Sequence, residues 1–207
     1  MSTVNKRGGR SADAAKREAI LDAARHVFLQ QGFAAASVEG IAADAGVSKV
    51  TIYNHFGDKR GLFTAAVGCE CQRISGHFSL DQLPAGSLRD KLTAVGEAMV
   101  AFLSRPEMVQ FERRIAAETV DEPEIGAAFL EAGPRTMIAA FSAMLAALNE
   151  AGEVEIADTA LAAEQFAALC KGLGDLERRF GRPNDPMRNQ ERIEGAVEVF
   201  CRAYGRH

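Results

Sequence analysis

Apolar residues recur at steps of three and four along almost the whole chain, and the breaks in that rhythm divide it into helices. From Asp13 to Gln31, residues Ile20, Ala23, Ala24, Val27 and Phe28 lie on one face of a helix. Gly32 ends it, and Phe33 is placed to pack back over its last turn. Val38, Ile41, Ala42 and Ala45 then form a short stripe that closes at Gly46, a residue free to turn left-handed. Ser48 has the hydroxyl to cap a second short helix, Lys49 to Phe56. In it Ile52 and Phe56 point inward, and Lys49, Thr51, Asn54 and His55 point outward. Asp58 caps a longer helix from Lys59 to about His77, with the stripe Leu62, Phe63, Ala66, Val67 and Ile74. Beyond Pro84 the pattern predicts helices over Ser87–Leu103, Glu107–Thr119, Glu124–Asn149, Ala157–Phe180 and Asn189–Tyr204. Pro134, following Gly133, either kinks the third of these or starts a new helix. Strand-period patterns are missing, so the predicted class is all-α with about nine helices.

The stretch Ser37–Phe63 has the layout of a helix-turn-helix, whose second helix can enter a major groove. Double-stranded DNA is the predicted partner. The net charge of −4 speaks against this until it is divided. Residues 1–60 carry nine bases and six acids, a net +3, whereas the remainder carries fifteen bases and 22 acids, a net −7. Only one end is suited to phosphate. Residues 1–12 are small, polar and basic; they read as a mobile arm offering Lys6, Arg7 and Arg10 to DNA, or as a tail without a role. No apolar run reaches the ~20 residues that span a bilayer, and the N-terminus lacks a signal-peptide core, so no membrane and a cytoplasmic location are expected. Cys69, Cys71, Cys170 and Cys201 fit no zinc spacing; they read as reduced, buried thiols, with a redox pair at Cys69 and Cys71 as the alternative.

Three stretches resemble the TetR family of bacterial transcriptional regulators: Ala-Ala-Arg-His-Val-Phe-Leu-Gln-Gln-Gly-Phe, Ile-Ala-Ala-Asp-Ala-Gly-Val-Ser and Thr-Ile-Tyr-Asn-His-Phe-Gly-Asp-Lys, all within Ile20–Phe63. Roughly Phe111–Gly172 is similar, more loosely, to the helical domains of drug- or signal-responsive members. The resemblance implies an arm and DNA-binding domain over 1–60 and a ligand-binding and dimerisation domain over 61–207. It also implies a homodimer reading a palindromic operator through half-sites roughly 34–36 Å apart.

Carried over by position, Lys49, Val50, Thr51 and Asn54 are the base-facing candidates. Lys and Asn donate to purine acceptors, and Val50 or the Thr51 methyl can touch a thymine methyl. Many family members have Gly, Ala or Pro where Val50 stands. Glu39 reads either as an acceptor for a cytosine amine or as a solvated carboxylate. Ser37, Ser48, Tyr53, His55 and Lys59 resemble the phosphate-contacting set, with a core aromatic as the alternative for Tyr53.

The effector pocket that the resemblance implies between the middle helices has as candidate walls Met99, Phe102, Leu103, Phe111, Ile115, Phe129, Met137, Phe141, Met144 and Phe166. Such a set suits a small, mostly apolar effector, although each residue also reads as ordinary core. Arg113, Arg114 and Glu118 are candidates for an orienting contact. The implied dimer helices carry Leu161, Leu169, Leu173, Leu176, Val197 and Phe200, which read as a dimer seam or as monomer core. The function that follows is a ligand-responsive regulator, acting as a repressor; the alternative is a constitutive DNA-bound adaptor without an inducer. No cofactor or metal is expected, and neither is catalysis. His26, His55, His77 and His207 are scattered, and there is no phosphate loop or nucleophile elbow.

Overall fold

The computed structural model describes residues 6–75 and 86–206, with the backbone alone at 6–12 and 73–75. It is all-helical. The helices are α1 (Lys6–Gln31), α2 (Val38–Asp44), α3 (Lys49–Phe56), α4 (Lys59–Ser75), α5 (Leu88–Leu103), α6 (Pro106–Glu118), α7 (Pro123–Leu130), α8 (Thr136–Glu150), α9 (Thr159–Arg179) and α10 (Pro186–Tyr204). A π-helical turn, Glu131–Arg135, joins α7 to α8 in one rod. Among the described residues no helix is long and apolar enough to cross a membrane.

Several boundaries differ from the periodicity for identifiable reasons. The first helix begins at Lys6, not Asp13, because propagating a helix already formed adds one backbone bond per residue and needs no apolar stripe. The part of the proposed arm before Lys6 lies outside the described residues, as does the expected end of α4 at His77. Pro134 neither stops the rod nor restarts it. The wider π turn accommodates the missing N–H and the ring. Helix α10 starts three residues before Asn189, because Asp185 accepts from the Arg188 N–H at 3.0 Å and Pro186 fills the first helical position.

Two cores organise the packing. The first gathers α1–α4 around Phe28, Phe63, Ile20, Ile41 and Ile52, and extends without a break to Phe111 and Ile115 of α6 and Ile125 of α7. Phe63 is its centre, with its ring edge-on to Phe28 at 5.2 Å and to Phe33 at 5.4 Å, and tilted against Phe111 at 6.2 Å. Each such buried ring stabilises the fold by roughly 1.5–3 kcal/mol. The second core lies between α5, α8, α9 and α10, around Leu92, Leu145, Phe166 and Phe200. An isolated bridge between Val154 and Gly205 ties the chain end to the α8–α9 loop, with the Glu155 N–H donating to the Tyr204 carbonyl at 2.8 Å.

Candidate nucleic-acid interface and effector cavity

The helix-turn-helix is built from two capped helices and three glycines. Ser37 accepts from the Gly40 N–H at 3.0 Å, and Ser48 accepts from the Thr51 N–H at 3.2 Å. Gly46 (φ 66°) makes the turn between α2 and α3, and Gly57 (φ 81°) ends α3. Asp58 then caps α4, accepting from the Gly61 N–H at 2.7 Å. A Cβ on Gly61 would run into the Phe56 carbonyl oxygen, so only glycine allows α4 to start so close under α3. Ile52 is fully buried and anchors α3, which leaves one face of that helix outward. On that face Val50 is 65% exposed and Tyr53 39%, with Lys49 and Asn54 also exposed and Thr51 half-buried. Tyr53 is thus a rim residue, outside the core.

The basic groups of this face are held by nearby partners. Lys49 is paired with Glu39 of α2, and its ammonium lies 5.6 Å from the centre of the Tyr53 ring. The hydrogen bond between them holds the Glu39 carboxyl below its usual range and raises the Lys49 ammonium above its own. His55 is mostly covered, with Nε2 3.4 Å from the Asp13 carboxylate of α1. Lys59 lies over the Phe33 ring at 4.5 Å and donates to the Ala34 carbonyl at 3.2 Å. Burial lowers the Lys59 pKa. Ser37 and Ser48 are exposed, but their hydroxyls are engaged as caps. The nine candidates from α2 to α4 therefore share one end of the molecule, with Lys59 half-buried against the α1–α2 loop.

Behind this unit a cavity of about 540 Å³ opens between α1, α4, α5, α6, the α7–α8 rod and α9. Met99, Phe102, Leu103, Phe111, Ile115, Phe129 and Met137 line it. Phe141, Met144 and Phe166 do not; they are buried in the second core, where α8 and α9 turn these faces toward each other, with the Phe141 and Phe166 rings 5.3 Å apart. Nor do the expected orienting groups reach it. Arg114 donates to the Leu29 carbonyl at 3.0 Å, Glu118 accepts from the Phe33 N–H at 2.9 Å, and Arg113 donates to the Arg178 carbonyl at 2.8 Å. The charged groups at the wall are instead Arg25, Glu70, Glu112, Lys171 and Arg179. One sequence signal pointed to Glu70: it sits in the apolar stripe of α4, three residues after Val67 and seven after Phe63. Its carboxylate accepts from Arg25 of α1 at 3.0 Å and from Arg105, at the α5–α6 junction, at 2.7 Å. Burial pushes the Glu70 pKa up, but the hydrogen bonds from Arg105 and Arg25 outweigh it and leave the group below its usual range. Glu112 goes the other way: burial raises it despite Arg179 at 3.1 Å. The four cysteines are free, and burial pushes the Cys71 thiol up to about 12.

Residues 20–66 match the family model described as bacterial regulatory proteins, tetR family, and residues 90–206 match the C-terminal domain of AefR-like transcriptional repressors. The chain belongs to the TetR family of bacterial transcriptional regulators. Over 126 residues this TetR-family chain is 31% identical to the transcriptional activator FasR of Mycolicibacterium smegmatis, a match covering 59% of this chain and 56% of that one. The chain spans about half the length of the curated relatives it matches first. Among solved structures, one described as a TetR-family regulator from Mesorhizobium loti aligns with a TM-score of 0.76 and 26% identity, over 94% of this chain and 98% of that one. The flavonoid-responsive regulator FrrA aligns with a TM-score of 0.71 and 30% identity, over 92% and 97%.

In this TetR-family fold the outer face of α9 is apolar. Leu161 and Leu169 before the non-helical Gly172 (φ 47°, ψ −148°), Leu173 and Leu176 after it, and Phe180 just past the helix end are exposed, while Ala163, Phe166, Ala167 and Cys170 face the second core. Val197 and Phe200 of α10 are only 1% and 2% exposed and belong to that core, since α10 lies against α5 and α9. Sequence reasoning missed Phe180 as part of the outer stripe, although it continues the four-residue step from Leu176.

Proposed function

We propose that this TetR-family chain is a ligand-responsive repressor. A homodimer binds a palindromic operator and is released by a small, mostly apolar effector held in the cavity. The observation that carries the reading is the cavity wall: Ala66, Val67, Glu70 and Cys71 of α4 belong to the helix that leaves the helix-turn-helix, and Arg25, Phe28 and Leu29 belong to α1. An occupant that favours a different setting of α4 shifts the separation of two recognition helices in a dimer, and operator affinity falls. The flavonoid-responsive FrrA, similar over almost the whole chain, supports an aromatic occupant. The apolar outer face of α9 supports pairing of two copies through that helix, with Leu161, Leu169, Leu173 and Leu176 at the seam. On DNA, Lys49, Val50, Thr51 and Asn54 meet bases, and Ser37, Ser48, Tyr53, His55 and Lys59 meet phosphates. Lys49 exchanges Glu39 for a base, and His55 exchanges Asp13 for the backbone. A constitutive adaptor has no use for an internal cavity, which weighs against that alternative.

The test selects the operator from genomic fragments with the purified protein, then measures its affinity across a ligand library alongside thermal shift. Compounds that stabilise the protein are expected to weaken operator binding. Ligands that bind and leave operator affinity unchanged would overturn the proposal.

A further inference from the structure

We infer that the cavity selects an organic monoanion, an apolar-bodied carboxylic acid whose carboxylate is held by Lys171. This rests on the reading of the cavity as the effector site. Its wall carries six polar side chains: Arg25, Glu70, Glu112, Thr119, Lys171 and Arg179. Five of them are engaged. Arg25 donates to Glu70 at 3.0 Å, Arg179 pairs with Glu112 at 3.1 Å, and the Thr119 hydroxyl donates to the Ile115 carbonyl at 2.6 Å. Lys171 is half-buried and, among the described residues, has no hydrogen bond or ion pair. A half-buried lysine at an apolar wall, with no hydrogen bond or salt bridge of its own, favours an incoming negative group. Glu112 is near enough to feel the Lys171 charge, but its carboxylate is taken by Arg179.

The surrounding charge points the same way. Among the charged side chains at the wall, Arg25, Lys171 and Arg179 stand against Glu70 and Glu112, an excess of one positive charge. One carboxylate neutralises it; a cationic ligand adds to it, and both wall carboxylates, Glu70 and Glu112, already accept from arginines. Phe102, Phe111, Phe129, Met99 and Met137 make the rest of the wall apolar, so the body of the acid is hydrocarbon or aromatic. The volume of about 540 Å³ is that of a small-molecule site.

Isothermal titration of the full chain with three probes of one shape tests this: naphthalene-1-acetate, the neutral 2-(1-naphthyl)ethanol and the cationic 2-(1-naphthyl)ethylamine. The acid is expected to bind wild type roughly tenfold or more tightly than the alcohol, the magnitude of one charge-assisted hydrogen bond. Lys171→Met is expected to erase that preference while leaving the alcohol's affinity within about twofold, which also shows that the variant is folded; Lys171→Arg is expected to keep the preference. Equal binding of acid and alcohol to wild type, or a preference that survives in Lys171→Met, overturns the carboxylate site and leaves the effector reading standing. No binding of any probe overturns both.

Discussion

Asn54 and Tyr53 are neighbours on one exposed helix, yet their chemistry separates them. A side-chain amide can match one base edge, whereas a phenol offers a single hydroxyl, suited to a phosphate oxygen. Asn54→Ala is therefore expected to relax discrimination at one base pair, by about 1–3 kcal/mol, in a gel-shift series over single-substituted operators. Tyr53→Phe and Lys59→Ala are expected to weaken all operators alike. Specificity lost equally from all three would contradict the division. Lys59 also covers Phe33 and donates to Ala34, so Lys59→Ala should in addition lower thermal stability, which Tyr53→Phe should not. Gly61 is constrained more severely. Its missing Cβ is where the Phe56 carbonyl oxygen sits, so Gly61→Ala is expected to cost about 1–3 kcal/mol in denaturant titration, with DNA affinity reduced as α3 shifts on α4.

Between elements, the Arg25–Glu70–Arg105 cluster joins α1, α4 and the α5–α6 junction at the cavity wall. The Glu70 pKa lies below its ordinary value of 4.5, so its ionised form is favoured by folding. That stabilisation is complete above about pH 4.5 and is lost as pH falls through the depressed folded value. Glu70→Gln is expected to lose roughly 2–4 kcal/mol at pH 7 and to show a shallower fall in urea midpoint on acidification. Parallel acid limbs for the two proteins would show that Glu70 does not contribute. The outer face of α9 makes a different kind of prediction. Leu173→Glu with Leu176→Glu places charge on an exposed apolar stripe without touching either core. The pair is expected to shift the protein to monomer in sedimentation velocity while the thermal midpoint of the chain falls little, and a wild-type-like dimer would move the seam elsewhere.

For the whole molecule, the first core packs the helix-turn-helix unit against α6 and α7 without a break, which under the proposed function gives an effector in the cavity a contact route to α3. Two polar links reinforce it: Arg114 on the Leu29 carbonyl at the end of α1, and Glu118 on the Phe33 N–H just beyond. Ile115, Ala116 and Thr119, beside them on α6 and just past its end, face the cavity. Glu118→Ala is expected to leave effector affinity near wild type and to reduce the effector's influence on operator binding by several-fold, read as a coupling ratio from titrations with and without DNA. An unchanged ratio would place the route through α4 alone.

The helix-turn-helix was legible in the sequence because its determinants are local. Ser48 and Asp58 cap helices through N–H groups three residues on, and Gly46 takes a conformation that other residues avoid. The Ser37 cap and the Gly57 stop obey the same local rules, though only the structure brought them out. The all-helical class followed from apolar period for the same reason. Periodicity says that a face is buried but not what buries it. Phe141, Met144 and Phe166 have the composition of a cavity wall and yet fill the second core, while Val197 and Phe200 have the pattern of a dimer seam and yet close the monomer. The same limit hid the polar wall. Arg113, Arg114 and Glu118 are charged residues beside Phe111 and Ile115, but each turns to a backbone group of another segment. The cavity's charges come from Arg25, Glu70, Glu112, Lys171 and Arg179, on four helices far apart in the chain. Sequence alone determined the helix-turn-helix, since caps and turns act within a few residues. Only the tertiary packing decided which apolar faces became core, which enclosed a cavity, and which stayed exposed on α9.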